Sequence, residues 1–307
     1  MMVKILNKVL IKIAYASITI FISITLIFFV IRLSPGDPVE TILGQKATSE
    51  EVAKLRHQLS LDLPLVTQYQ NYLKMILKGD LGKSLLGSKN VKELLKERMF
   101  PTVVLATCAV SVSAFLGTFL GLLSGMNRRK AFDQGLRFIT LVVLSFPIFS
   151  LAPIMVLLFA ITLNWFPVSE WGDFRHLVLP VMTLSIPLSA ILSRVTRNKF
   201  LEESNELWSV VYRAKGLSEF QISLRILKVC LPTILNIISI QLSSIIAGAM
   251  ITETIFDIPG MGTLLFDGIQ SRDYPIVQGV IIYSTSMYML VYFFVDFINS
   301  KLDPRSV

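Results

Sequence analysis

Six long stretches of this 307-residue chain carry no charged side chain: residues 13–31, 99–127, 138–169, 177–193, 229–252 and 274–295. An α-helix rises about 1.5 Å per residue, so about 20 residues cross a hydrocarbon core of about 30 Å. Five of the six runs reach that length or fall one residue short of it. The fourth is shorter and carries Pro180 and Pro187, so it is expected either to kink or to extend past His176. The pattern predicts an all-α integral membrane protein with six transmembrane helices. The first run, between Lys12 and Arg32, exceeds the usual apolar length of a signal peptide and no A-x-A site follows it, so it reads as a retained helix.

Two polar stretches interrupt the apolar runs at length. In residues 33–98, Thr48-x-x-Glu51 has capping-box spacing ahead of Val52, Leu55 and Leu59, which share one helical face. Pro64 stands where a first helical residue would, before Tyr69, Leu73, Ile76 and Leu77. Asn90-x-x-Glu93 opens a third short helix with Leu94 and Leu95. The second stretch, 194–228, contains Tyr212-Arg213-Ala214-Lys215-Gly216-Leu217-Ser218. The chain thus divides into a tail with the first helix (1–32), a helical segment (33–98), a membrane core (99–300) that includes the 194–228 loop, and a C-terminal tail (301–307).

Composition agrees with a membrane body. The chain is 53% hydrophobic and 16% charged, with mean hydropathy +0.66, against about a quarter charged in ordinary soluble domains. The net charge of +8 is explained by topology and lipid headgroups rather than by nucleic acid. Lys4, Lys8 and Lys12, then Arg128, Arg129, Lys130 and Arg137, then seven basic residues in 194–228, then Lys301 and Arg305, fall on alternate connections. The short connections between them carry only Arg175 and Arg272. Basic residues in short loops stay in the cytoplasm, so both termini and the 194–228 loop are expected there. The 33–98 segment holds ten basic residues, yet it is long enough to translocate regardless of charge and is expected outside.

Catalytic signatures are missing from the sequence. His57 and His176 are far apart, and neither H-E-x-x-H nor G-x-S-x-G occurs. Gly79-Asp80-Leu81-Gly82-Lys83-Ser84 imitates a phosphate loop but has Leu77 where the first glycine belongs, and reads as a turn between helices. Cys108 and Cys230 support neither a disulfide framework nor a metal site. No catalytic residue, cofactor or metal ligand is expected, and energy-driven transport would need an outside motor. An ion-coupled carrier or channel and an intramembrane hydrolase are the rival classes.

Within the runs, Gly117, Gly121 and Gly125 place small residues on one helix face, which suits either a subunit interface or packing within the chain. Pro147 and Pro153 in the third run, with Pro180 and Pro187 in the fourth, free backbone carbonyls and bend helices. Asn236 and Gln241 suit hydrogen bonds to neighbouring helices. Glu253, at the edge of the fifth run, is costly near lipid unless paired or solvated; it reads either as a headgroup-level residue or as a pathway residue.

Several short strings together carry a family resemblance. Pro35-Gly36-Asp37-Pro38 follows the first helix; Leu61-Asp62-Leu63-Pro64-Leu65, Gln68-Tyr69 and the 79–84 string occupy the next segment. Leu179-Pro180, Arg194-x-Thr196-Arg197, Glu253-x-x-Phe256-x-x-Pro259-Gly260-x-Gly262, Arg272-Asp273-Tyr274-Pro275 and Leu302-Asp303-Pro304-Arg305 complete the set. In this order the chain resembles the inner-membrane permease subunits of ATP-binding-cassette importers, the B-type subunits of the dipeptide, oligopeptide and nickel group.

The resemblance implies a multi-pass protein of the cell inner membrane that forms half of a heterodimeric pore and is not itself an enzyme. Its implied partners are a second related permease, cytoplasmic ATPase subunits and an extracytoplasmic solute-binding protein, with short peptides or alternatively nickel or another chelated solute as cargo. It implies that Glu206, Tyr212, Arg213, Ala214, Lys215, Gly216, Leu217 and Ser218 form the loop that docks on the ATPase. Ala214 and Gly216 would permit close approach, and Arg213, Lys215 and Glu219 would add charged contacts at the rim. Glu253, Pro259, Gly260 and Gly262 become pore or gate candidates, and Gly117, Gly121 and Gly125 packing residues. Val210, Val211 and Tyr212 stand where the family has small or polar residues. Trp208 and Tyr212 suit either docking or packing against the chain's own helices.

Overall fold

The computed structural model describes residues 2–33, 36–44, 47–87 and 89–302. Pro35, Asp303, Pro304, Arg305 and the rest of the 303–307 tail lie outside the described residues. Among the described residues thirteen α-helices follow in order: α1 Met2–Leu33, α2 Pro38–Leu43, α3 Ser49–Gln58, α4 Leu65–Leu77, α5 Val91–Met126, α6 Ala131–Ser145, α7 Ile148–Met155, α8 Phe174–Ser204, α9 Leu207–Ala214, α10 Glu219–Ile246, α11 Met250–Ile255, α12 Met261–Gln270 and α13 Tyr274–Leu302. Among the described residues β-pairing amounts to one isolated bridge, Lys83 with Asn90.

Among the described residues five helices are long and apolar enough to cross a bilayer: residues 10–33 of α1, then α5, α8, α10 and residues 274–301 of α13. The third apolar run departs from the expected single helix. It forms α6, then α7 continued by a π-helical turn, Val156–Thr162, and the two pieces meet at 105°. Pro147 stands between them, where it removes a backbone donor and turns the residue before it away from helical geometry. Counting that bent pair as one span restores six. The fifth run is also broken, because Gly248 at φ 123° separates α10 from α11. The fourth takes the extended alternative, beginning at Phe174 and keeping Pro180 and Pro187 inside one helix.

The chain divides into two compact units. The first comprises residues 1–100 and 259–289. Its core joins Val91 and Leu95 of α5, Met261 and Leu264 of α12, and Ile276 and Val280 of α13. Thr48 with Glu51 makes the complete capping box that its spacing predicts ahead of α3, and Asp37 caps α2 by accepting from Val39 N at 2.9 Å. In α4, Tyr69 and Tyr72 pack on the fully buried Phe28 of α1.

The second unit comprises residues 101–258 and 290–307. Leu192 and Phe200 of α8 pack against Ile222, Ile226, Cys230 and Ile234 of α10, which recur every four residues and so share one face. Hydrocarbon offers helices no hydrophobic reason to associate, so close packing of small residues takes over. At Gly121 an added methyl would lie 2.6 Å from Ser193 O; at Gly117, 2.8 Å from Leu192 Cβ; at Gly125, 2.6 Å from the Phe200 ring. The glycine stripe is therefore the seam between α5 and α8 of one chain.

Candidate functional site

The 194–228 loop is a folded corner built from the end of α8, the eight-residue α9 and the start of α10. Glu206, exposed, is the N-cap residue of α9, and its carbonyl accepts from Ser209 N at 3.0 Å. At the other end, Gly216 at φ 82° terminates α9 in a left-handed turn. Gly216 N bonds Arg213 O at 2.9 Å and Leu217 N bonds Tyr212 O at 3.2 Å, the paired closure of a Schellman motif. Ser218 then caps α10 with Gln221 in a capping box. The glycine serves conformation first: a Cβ there would meet nothing within 4 Å. Ser218-x-x-Gln221 was readable from spacing alone.

The two faces of α9 differ in kind. Trp208 and Tyr212 turn inward onto the core of the second unit, their rings edge to face at 6.0 Å, and the Arg225 guanidinium lies 4.6 Å from the Tyr212 ring centre. Leu217 packs on the same cluster. Outward stand Leu207 (81% exposed), Val210 (50%) and Val211 (49%), with exposed Ala214 a turn beyond. Their spacing of i, i+3, i+4 and i+7 makes one apolar stripe, and Phe220 and Leu224 expose further apolar area at the start of α10. From the sequence Val210 and Val211 stand out only as departures from the family, while Leu207 joins their stripe by helical periodicity.

Arg213 points along the helix toward its own chain. Its Nη1 donates to Ser204 O at 3.1 Å, Nη2 to Ser204 Oγ at 3.0 Å and Nε to Glu219 Oε1 at 3.1 Å. One guanidinium thereby joins the last residue of α8 to the first of α10. Lys215 is exposed at the C-cap of α9.

Beside this corner lies a buried ion pair that sequence reasoning missed. The Asp133 side chain, 0% exposed, accepts from Arg197 Nε at 2.5 Å and Nη2 at 2.8 Å, from Ser124 Oγ at 2.6 Å and from Arg129 N at 3.0 Å. Four donors saturate both oxygens, which is what lets a carboxylate stay ionised away from water. The pair ties the end of α5 and the start of α6 to α8. Arg197 belongs to the noted Arg194-x-Thr196-Arg197 string; nothing in the local sequence marks Asp133 as its partner.

Glu253 is fully buried in α11 and accepts from Thr102 Oγ1 at 2.7 Å, so it is a satisfied interior residue and not one solvated among headgroups. Gln241 similarly bridges helices, accepting from Ser113 Oγ and donating to Leu188 O, each at 3.0 Å. Asn236 accepts from Asn299 Nδ2 at 2.6 Å. Pro259, Gly260 and Gly262 lie in the first unit, where Gly260 is the N-cap of α12 and Gly262 is buried in its first turn.

In the first unit, strings far apart in sequence meet. The Arg272 side chain lies against Gly36 at φ 110°, on the side where any Cβ would stand. The Arg32 guanidinium sits 3.7 Å from the Phe28 ring centre and 5.6 Å from that of Tyr274, and its Nε donates to Gln68 Oε1 at 2.8 Å. Ser84 Oγ and Leu85 N both donate to Asp273 Oδ2, at 2.6 and 2.9 Å. The 79–84 string is a turn, closed by Gly82 N on Asp80 Oδ1 at 2.9 Å, and its serine fastens to a carboxylate. An open cavity of about 350 Å³ beside it is lined by Asp80 and Glu93 as well as Lys92 and Lys96, a mixed set that does not suit a phosphate. Among the described residues no three His, Cys, Asp or Glu side chains gather as a metal site.

Comparison with known proteins connects these features. The family model described as the binding-protein-dependent transport system inner membrane component matches residues 117–307, and the N-terminal model of the same system matches residues 2–106. A probable peptide ABC transporter permease protein of Sinorhizobium fredii is 35% identical over 91% of this chain and 92% of its own length. The di/tripeptide transport system permease protein of Pseudomonas aeruginosa is 35% identical over 93% of this chain and 94% of its own. Among solved structures, a chain of the MetNI methionine ABC transporter in inward-facing conformations has TM-score 0.59 at 17% identity, covering 69% of this chain and 97% of that one, and shares the fold. With its long apolar helices, its folded polar corner and two family models covering nearly its whole length, the chain belongs to the inner membrane permease components of binding-protein-dependent ABC importers.

Proposed function

We propose that the chain forms half of the translocation pore of an ATP-driven importer that takes up short peptides handed over by a solute-binding protein. The observation that carries the docking part is the outward stripe of Leu207, Val210, Val211 and Ala214 on a short helix whose other face is bonded to its own chain. An apolar stripe in an otherwise charged loop suits a protein partner. We assign that partner as a cytoplasmic ATPase subunit, which supplies the hydrolysis this chain does not perform. Ala214, Lys215 and Gly216 lie at the exposed end of the stripe and complete the contact, with Glu206 at its start; Tyr212, Leu217 and Ser218 support it from within.

The basic residues of the 194–228 loop favour the cytoplasmic side, with both termini beside it and the 33–98 segment outside. There the segment would meet the binding protein, while the 99–300 core pairs with a second permease across the cell membrane. Glu253, Pro259, Gly260 and Gly262 are the gate candidates on this reading. Peptide cargo follows the relatives' names; nickel or another chelated solute is the alternative.

Reconstituting the chain with its partner permease, ATPase subunits and binding protein in liposomes tests the reading. Labelled dipeptide uptake should require ATP and binding protein, and nickel should not compete. Uptake by the permeases alone, driven by an ion gradient, would identify a carrier and overturn the proposal.

A further inference from the structure

We infer that Arg213 is a positioning residue which braces α9 between α8 and α10, so that a displacement of α9 reaches the long helices. The inference rests on the reading of α9 as the ATPase contact. A helix of eight residues is too short to be stable alone, and α9 is joined to α8 through only Asn205 and Glu206. Pushed on its outward stripe, a helix held by backbone alone would pivot about that joint or fray.

Three fixings oppose the pivot. The Trp208–Tyr212 pair seats the inner face, with Arg225 stacked on Tyr212 at 4.6 Å. The turn at Gly216 closes the C-terminal end. Arg213 alone of the three bonds to both neighbours at once: two nitrogens on Ser204 at the end of α8, and the third on Glu219 at the start of α10. Ser204 in turn lies on the helix that Arg197 ties to Asp133. All three guanidinium nitrogens are engaged within the chain, so the group does not serve as a charge offered at the docking rim.

Geometry separates a brace from a charged docking contact. A guanidinium is a planar fork that reaches Ser204 and Glu219 together; a lysine keeps the charge but is a single point on a flexible stem. Arg213→Ala, Arg213→Lys and Glu219→Gln, each in the complete transporter, distinguish the two roles through ATPase co-purification and solute taken up per ATP hydrolysed. Both arginine variants should retain the ATPase and lose about tenfold in uptake per ATP, the scale of coupling carried by such networks. Glu219→Gln should move the ratio the same way by a smaller factor.

An Arg213→Lys transporter matching wild type in that ratio, or an Arg213→Ala transporter that sheds its ATPase, would overturn the brace. Glu219→Gln alters one exposed side chain and keeps every backbone bond, so it carries the test if the arginine variants accumulate poorly; an unchanged ratio there also overturns the proposal. Failure of the wild-type complex to retain an ATPase would instead refute the docking reading, before any substitution is made.

Discussion

Ser84 Oγ donates to Asp273 Oδ2 at 2.6 Å, joining residues 189 positions apart. The same oxygen accepts from Leu85 N, and Oδ1 lies 3.3 Å from Ile276 N, so one carboxylate both caps α13 and fastens the turn that precedes α5. Asp273 is 1% exposed, which leaves its donors without water if the carboxylate is removed. Asp273→Ala should destabilise this corner by about 2–3 kcal/mol, hydrogen bonds to a buried charge being the stronger kind. Hydrogen exchange in residues 80–90 of the purified protein is the measurement; protection equal to wild type would contradict the latch.

Gly216 is held at φ 82°, where a Cβ costs about 1–2 kcal/mol although nothing crowds it. Gly216→Ala should therefore fray the end of α9 without altering membrane insertion. Gly216→Asn should be milder, since asparagine tolerates left-handed backbone. Faster amide exchange at Gly216 and Leu217 in the alanine variant, with unchanged exchange in α8, is the expected result.

The glycine seam and a neighbouring glycine should respond with opposite signs. Gly121→Ala forces a methyl to 2.6 Å from Ser193 O, and overpacking of this kind costs about 1–3 kcal/mol. Gly135, inside α6, has nothing within 4 Å of its Cβ position, so Gly135→Ala should stabilise by about 0.5–1 kcal/mol. Thermal unfolding in detergent compares the two; equal shifts would show that the seam is looser than it looks.

Residues 33–98 contain a pH-dependent pair. His57 Nδ1 lies 2.6 Å from Asp62 Oδ2; the bond raises the imidazole pKa and lowers that of the carboxyl. A raised histidine contributes stability fully below its unfolded value of about 6.5 and loses it as pH rises through the folded value. The depressed carboxylate contributes above its own unfolded value and loses that on acidification through its folded one. The pair is accordingly strongest between those limits. Histidine NMR titration should place the His57 midpoint above its ordinary value, and Asp62→Asn should return it.

Arg197→Ala would strand the buried Asp133 carboxylate with two of its four donors gone. Breaking a buried pair from one side costs about 3–5 kcal/mol. Removing both charges in a double variant, Asp133→Leu with Arg197→Met, should recover much of that loss, because no charge is then left buried. A double variant as unstable as the single one would locate the stability elsewhere in the site.

Legibility in the sequence followed the range of the interactions. Thr48 with Glu51 and Ser218 with Gln221 act within one helical turn, so spacing reveals them. Leu207, Val210, Val211 and Ala214 form a stripe by periodicity alone. Arg213 reads from the sequence as a charged residue of the 194–228 loop, but its three bonds run to Ser204 of α8 and Glu219 of α10, and composition carries no record of direction. Glu253 reads from the sequence as a residue in need of a partner; that Thr102 donates to it depends on which helices become neighbours.

Length and hydropathy alone determined that this is a multi-span membrane protein, because crossing a bilayer is a local requirement that each helix meets by itself. The capping box of α3 is local in the same way. Only tertiary structure decided that Gly121 faces Ser193 and not a partner, that Asp133 belongs to Arg197, and that Ser84 reaches Asp273. Such choices depend on shape and donor geometry between segments that share no sequence neighbourhood, and those exist only once the helices have packed.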